Sequence, residues 1–236
     1  MKINGSVALV TGANRGLGKA FVQALSQAGA RKIYAAARDP ATIAAADGIV
    51  PIKLDVTNPE HIRSAAAEFR DVSVLINNAG ISIRSPSALD PASSDALRKE
   101  METNVFGPLS LVQAFAPILA SNGGGAVLNV LSALSWVSIT GVETYCATKS
   151  AAWSLTNGLR HSLSQQGTQV VALHVGYMDT DMTKNLPVTK SDPNVVARDA
   201  ISAIEKGEVE ILADATSVQL KQALSSGVYL KPLPRG

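Results

Sequence analysis

Tyr145 and Lys149 stand four residues apart in the string Tyr145-Cys146-Ala147-Thr148-Lys149, and Ser132 lies 13 residues before the tyrosine. Positions i and i+4 share one face of a helix, so a phenol and an ammonium would meet there. A phenol titrates near pH 10, and lowering that by roughly 3 units takes about 4 kcal/mol of preferential stabilisation of the phenolate. One ammonium at about 4 Å, with an effective dielectric near 20, supplies an effect of that size. The pair could give a proton to an alkoxide and take it back, the acid–base half of carbonyl reduction and alcohol oxidation. A serine hydroxyl beside it would donate a hydrogen bond where charge gathers on the carbonyl oxygen. Ser135 and Ser138 compete for that place; Ser132 is favoured by its spacing and by lying just past an apolar strand run at 126–130. A lone Y-x-x-x-K is frequent by chance, and the chemistry still lacks a hydride donor.

The N-terminus offers a place for one. An apolar run at 7–10 breaks at Thr11-Gly12, and the turn Gly12-Ala13-Asn14-Arg15-Gly16-Leu17-Gly18 leads into an amphipathic pattern at 19–27 that stops at Gly29. Gly12 lets the chain turn sharply, Gly16 brings no side chain between a pyrophosphate and the backbone, and Gly18 lets the helix pack close to the strand. The helix start then aims free N–H groups and the positive end of its dipole at the phosphates. The spacing is T-G-x-x-x-G-x-G rather than the common G-x-G-x-x-G, and three glycines alone also make a plain turn.

Glycine loop, strand-end asparagines, serine and Y-x-x-x-K follow one another as in the short-chain dehydrogenase/reductase family, which this sequence resembles from residue 5 to about 212. The resemblance implies that Asn104, Ser132, Tyr145 and Lys149 form the catalytic set. Asn104, in Asn104-Val105-Phe106-Gly107, would bend its helix and hold a water linking Lys149 to solvent. A kink at Pro108 with Asn104 satisfying freed carbonyls explains the same residue. It further implies cofactor contacts from Gly12, Asn14, Arg15, Gly16, Leu17 and Gly18. Asp55-Val56 would meet the adenine, although Asp55 also reads as a turn or cap aspartate. Asn78, Ala79 and Gly80, in Asn77-Asn78-Ala79-Gly80, would let the backbone approach the ribose and stitch neighbouring strands. Tyr145 and Lys149 would contact the cofactor, as would Gly176 and Thr180, the latter bonding the nicotinamide amide or the phosphates. The family's proline before that glycine is replaced here by Val175, which leaves the loop's course open.

The second strand, 32–37, ends in Ala37-Arg38-Asp39. An acidic residue at that end reads the ribose of NAD, and a basic one accommodates the 2′-phosphate of NADP. Arg38 and Arg15 therefore favour NADP(H), a guanidinium fork matching a phosphate. Solvated loop arginines are the plain alternative, and a slip bringing Asp39 to the ribose would admit NAD(H).

These residues need a scaffold. Apolar runs at 7–10, 32–37, 50–56, 72–76, 126–130, 170–175 and 209–212 alternate with helical patterns, the longest at 93–120 and 143–165, and another runs 195–206. Near-continuous apolar strands suit a parallel sheet covered on both faces. The fold class expected is α/β, a Rossmann-type, doubly wound, seven-stranded parallel sheet. Residues 1–236 read as one dinucleotide-binding domain, with a short substrate lid at 181–193 and a C-terminal tail at 213–236 holding a short helix and a Pro-rich end.

A net charge of +2 gives no reason to expect a nucleic-acid partner or a polybasic membrane patch. Residues 103–142 lack Asp, Glu, Lys and Arg, but prolines, asparagines and the triple glycine 123–125 break the run, so a buried helix and a central strand are expected rather than a membrane span. One cysteine, Cys146, excludes an intrachain disulfide framework and reads as a helix-packing residue in a reducing, cytoplasmic setting. The segment Met1 to Gly5 leads straight into the first strand and leaves no room for a signal peptide. His61, His161 and His174 have no metal-ligand spacing and read as surface or satisfied histidines; no metal is expected.

The reaction expected is reversible reduction of a ketone or aldehyde. An NAD-dependent alcohol dehydrogenase and a non-catalytic cofactor-binding regulator are the alternatives, and the second has no need to keep all four catalytic residues. Segments 82–88, 133–142 and 177–193 would wall the substrate pocket. Leu134, Trp136, Val137, Tyr177, Met178, Met182 and Leu186, with Arg84 the one basic residue of the first two segments, favour an uncharged, hydrophobic small molecule. The resemblance implies a homodimer or homotetramer through the two long helices.

Overall fold

The structure, a computed structural model, describes residues 1–231; the Pro-rich end expected of the tail lies outside the described residues. Seven parallel strands form one sheet: β1 (Val7–Thr11), β2 (Lys32–Ala37), β3 (Ile49–Lys53), β4 (Val74–Asn77), β5 (Gly125–Val130), β6 (Thr168–His174) and β7 (Glu210–Leu212). Their order is β3-β2-β1-β4-β5-β6-β7, so the winding reverses between β1 and β4. Ligands of open α/β sheets bind at such a reversal, beyond the carboxyl ends of the strands.

Alternate residues of β1 serve the two faces. Ala8 and Val10 join the cluster covered by α1 (Gly16–Gln27) and α6 (Pro193–Lys206). Val7 and Leu9 join the cluster covered by α2 (Pro59–Glu68), α4 (Gly107–Ser121) and α5 (Glu143–Leu163). The two-sided cover is why the strands read as continuous apolar runs. Two further helices pack on these layers: α3 (Ser93–Met101) on α5 and α7 (Ala215–Gln222) on β7.

The helix expected at 93–120 runs from Ser93 to Ser121 but widens at Glu102–Phe106 into a single π turn between α3 and α4, with Asn104 inside it. Pro108 in the first turn of α4 lacks an N–H, and the wider turn accommodates that loss. The helix is long and apolar enough to cross a membrane, yet Leu111, Val112, Phe115 and Leu119 are buried against the sheet. Gly107 explains the close packing, since a Cβ there would sit 2.9 Å from the Val56 carbonyl oxygen.

Boundaries shift where caps intervene. Asp192 caps α6 by accepting from the Asn194 amide at 2.8 Å, and Pro193 occupies the first helical position, so this helix starts two residues before 195. β3 stops at Lys53, ahead of Asp55, and β4 takes in Asn77, so that asparagine is a strand residue rather than a turn.

Candidate active site

The glycine turn is built as its spacing requires. Gly12 and Gly16 adopt φ of +63° and +51°. A Cβ on Gly18 would lie 2.1 Å from the Gly12 carbonyl oxygen, so only glycine lets α1 approach β1. A Cβ on Gly16 would meet the Thr180 methyl at 3.2 Å, which places Thr180 over the turn. Asn14 is half-buried in the turn, and Leu17 is buried beneath it. The α1 N-terminus has no side-chain cap from Arg15 and no acidic residue in its first turn. Its leading amides and dipole therefore face outward without a protein anion, which suits a phosphate.

The strand-end asparagines do the stitching expected of them. Asn78 Nδ2 donates to the Thr11 carbonyl at 2.8 Å, and the Asn78 and Ala79 amides both donate to Thr11 Oγ1 at 3.0 Å. Asn77 Nδ2 donates to Asn129 Oδ1 at 2.8 Å, tying β4 to β5. Gly80 follows at the centre: a Cβ there would lie 3.2 Å from Asn104 Oδ1 and 3.9 Å from Lys149 Nζ.

At the β2 end, Asp39 is turned away from the sheet; its Oδ1 accepts from the Ala41 amide at 3.1 Å and caps a short 3₁₀ turn. Arg38 is exposed beside Asp55. Burial works to raise the Asp55 pKa, but two hydrogen bonds from Thr57 and the Arg38 charge outweigh it and hold it below the ordinary value. Asn58, not Asp55, caps α2. Arg15 pairs with Asp181 at 2.9 Å, joining the glycine turn to the 181–193 segment.

The residues expected to be catalytic come together beyond β5. Ser132 is nearly buried in extended backbone, and its Oγ accepts from the Leu134 amide at 3.1 Å. Tyr145 and Lys149 share one face of α5, with Lys149 Nζ 5.6 Å from the phenol ring centre. Lys149 Nζ donates to the Val130 carbonyl at 2.8 Å, and burial pushes its pKa down to about 8. Burial pushes the Tyr145 phenol well up, while a hydrogen bond with Ser132 draws it partly back. The resting phenol is therefore a neutral acid. Ser135 and Ser138 have other partners: Ser135 Oγ accepts from the Ser132 amide, and Ser138 lies against Cys146.

Asn104 spends its side chain on neighbours. Nδ2 donates to the Ile81 carbonyl at 2.9 Å and to Thr148 Oγ1 at 3.0 Å, and Oδ1 accepts from the Ile81 amide at 2.9 Å. One Oδ1 lone pair remains, on the side of Gly80 and Lys149.

Three residues were not singled out by spacing. Glu100, one turn before Asn104, is fully buried and accepts from the Ile83 amide at 2.6 Å. Its charge raises the Tyr145 pKa, so this side of the site is less apolar than the sequence implied. Asp214 Oδ2 accepts from the Gly176 amide at 2.5 Å. His174 is fully buried, unlike a surface histidine, and Trp136, expected in the pocket wall, packs inward on it.

The short chain dehydrogenase family model matches residues 6–191. The NADP-dependent 3-hydroxy acid dehydrogenase of Schizosaccharomyces pombe is 29% identical over 98% of both chains. The 3-oxoacyl-[acyl-carrier-protein] reductase FabG of Vibrio cholerae is 32% identical over 79% of both. A short chain dehydrogenase from Burkholderia cenocepacia, solved in complex with NADP, superposes with a TM-score of 0.91 at 38% identity, covering 96% of this chain and 95% of that one. With the family match over most of its length, and with its sheet order and glycine turn, the chain belongs to the short-chain dehydrogenase family.

Proposed function

We propose that this oxidoreductase reduces a ketone or aldehyde to the alcohol, reversibly, with NADP(H) as preferred cofactor. The observation that carries the reading is the gathering of Ser132, Tyr145 and Lys149 beyond β5, with Lys149 close to Gly80. Bound nicotinamide supplies the hydride. Tyr145, held neutral by burial, gives its proton to the developing alkoxide. Ser132, whose Oγ already accepts from Leu134, uses its O–H to donate to the same oxygen. Lys149 keeps donors beyond the one given to Val130 for the nicotinamide ribose. Asn104 carries the water-holding role on its remaining lone pair and fixes the 81–83 wall.

The glycine turn with Asn14, Arg15 and Leu17, Asp55-Val56, Asn78 to Gly80, Gly176 and Thr180 would line the cofactor. Arg38 is the group for the 2′-phosphate, while Arg15 must exchange Asp181 for it. The S. pombe relative's NADP dependence and the NADP complex of the B. cenocepacia protein support the same choice. Asp39, engaged with Ala41, disfavours the NAD reading. The substrate is a small hydrophobic carbonyl compound under the 181–193 lid, in a single domain. Exposed Phe106 and Leu155, beside Leu109 and Leu159 on α4 and α5, support a homodimer or homotetramer, which light scattering tests. Buried Cys146 fits a cytoplasmic setting.

Tyr145→Phe tests the core of the reading. Turnover should be lost while NADPH binding, followed by nicotinamide fluorescence, is kept. Unchanged turnover refutes the mechanism, and NADH binding tighter than NADPH refutes the cofactor assignment.

A further inference from the structure

His174 lies at the end of β6, fully buried, and the chemistry above does not use it. Its Nδ1 is 3.1 Å from the Ser132 carbonyl oxygen. A carbonyl only accepts, so Nδ1 carries the proton and donates. Nε2 then bears a lone pair and has no hydrogen-bond partner among the described residues. Glu210 Oε1, 3.7 Å away, is another acceptor, and Lys221 pairs with the Oε2 of the same carboxylate. A buried polar ring with one nitrogen orphaned costs stability, and an apolar residue of similar size would avoid that cost.

What the ring gains is a fixed orientation. Trp136 stacks on it at 4.1 Å between centroids and 23° between planes, and Trp153 closes edge-on against Trp136 at 6.3 Å. From behind, Ser217 Oγ on α7 donates to the His174 carbonyl at 3.2 Å. The other anchors of Ser132 lie mostly within its own turn: its carbonyl also accepts from the Ser135 amide at 2.9 Å, its Oγ accepts from the Leu134 amide at 3.1 Å and its amide donates to Ser135 Oγ at 3.3 Å, while the hydroxyl reaches Val175 O at 3.4 Å; His174 adds a side-chain tie from the neighbouring strand.

We propose that His174 is a positioning residue for Ser132: its Nδ1–H clamps the serine's carbonyl, fixes the peptide plane that follows, and so aims the hydroxyl at the substrate oxygen. Through Ser217, α7 becomes part of the support of the catalytic centre, which gives the C-terminal segment a role. The inference rests on the reading of Ser132 given above. A donor that is misplaced by about 1 Å can cost on the order of 100-fold in rate, so a clamp on one carbonyl has a measurable effect.

The test is a double-mutant cycle on carbonyl reduction, with NADPH binding and melting temperature measured alongside. His174→Leu should lower kcat at least about 10-fold, with NADPH affinity within about 2-fold of the wild type. In a Ser132→Ala background the same change should lower kcat by less than about 2-fold, because the group it positions is gone. Equal losses in both backgrounds overturn the proposal and leave Ser132's role intact. If Ser132→Ala alone leaves kcat unchanged, the reading of Ser132 fails and takes the proposal with it. Should the leucine variant not fold, His174→Asn and His174→Gln decide. Asn places its amide donor where Nδ1 stands and should retain most of kcat, whereas Gln places it near Nε2 and should not. Equal activity of the two overturns the clamp. A readout independent of turnover is nitrogen NMR of histidine-labelled protein at pH 7: His174 must show a protonated Nδ1 and a bare Nε2, and the opposite tautomer refutes the assignment.

Discussion

Lys149→Met should show that the site's cation is held at the expense of the fold. Burial lowers the Lys149 pKa from 10.5 to about 8. That shift of roughly 2.5 units corresponds to about 3 kcal/mol of native-state cost while both folded and unfolded chains carry the proton. Near pH 7 almost all of this cost is present. By pH 9.5 the folded chain has mostly released the proton and the unfolded chain has not, so less than half remains. Between about pH 8 and 10.5 the unfolded state binds more protons than the folded one, and this group makes stability rise with pH. The wild type should therefore gain about 2 kcal/mol from this position between pH 7 and 9.5, and the methionine variant nothing. Loss of the bond to Val130 O weakens the variant by about 1–3 kcal/mol, but at both pH values, so it cancels. Guanidinium unfolding of the two proteins at pH 7 and 9.5 gives the comparison. The variant's stability relative to wild type should fall by about 2 kcal/mol on going to pH 9.5, and its turnover should be lost at both. A difference that does not move with pH would show that the ammonium is solvated, which refutes the buried-cation reading.

Other perturbations test other parts of the same argument. Gly18→Ala puts a methyl carbon 2.1 Å from the Gly12 carbonyl oxygen, so α1 must lift from β1. Loss of NADPH binding together with a drop of more than about 3 kcal/mol is expected, and a binding-competent variant of normal stability would contradict the packing. His174, whose pKa burial pushes down to about 4, stays neutral when folded while the unfolded side chain protonates near 6.5. Its contribution is complete above pH 6.5 and is lost as pH falls toward 4, about 2 kcal/mol by pH 5, so unfolding curves of His174→Asn and wild type should converge by that amount on acidification. Arg38→Ala should weaken NADPH binding roughly 10- to 100-fold and leave NADH binding within about 2-fold, as expected for loss of one charge-assisted phosphate contact.

The parts legible in the sequence are those that one short segment specifies. The glycine turn, Asn77 to Gly80, and the Tyr145–Lys149 pair each owe their geometry to a few consecutive residues, and each lies where the spacing put it. Seven strands were countable because both sheet faces are covered. Arg15 was legible as a cation of the turn but not as the partner of Asp181, 166 residues away, nor could spacing reveal that Asn104 would sit in a π turn with its amide spent on Ile81 and Thr148. What fixes such contacts is the register between neighbouring elements. β5 pairs Val130 with Leu173, the Leu131 amide bonds the Leu173 carbonyl, and the Ala133 amide bonds the Val175 carbonyl. Given that register, Ser132 and His174 must meet, although 42 residues separate them. The same register answers the missing proline. Where a ring would have stiffened the chain at 175, the Val175 carbonyl is held by Ala133 on one side, and Asp214, itself the cap of α7, holds the Gly176 amide on the other. Backbone rigidity that a single residue type could have supplied locally is here supplied by hydrogen bonds from two distant segments, which hold the chain at 175–176 without the proline.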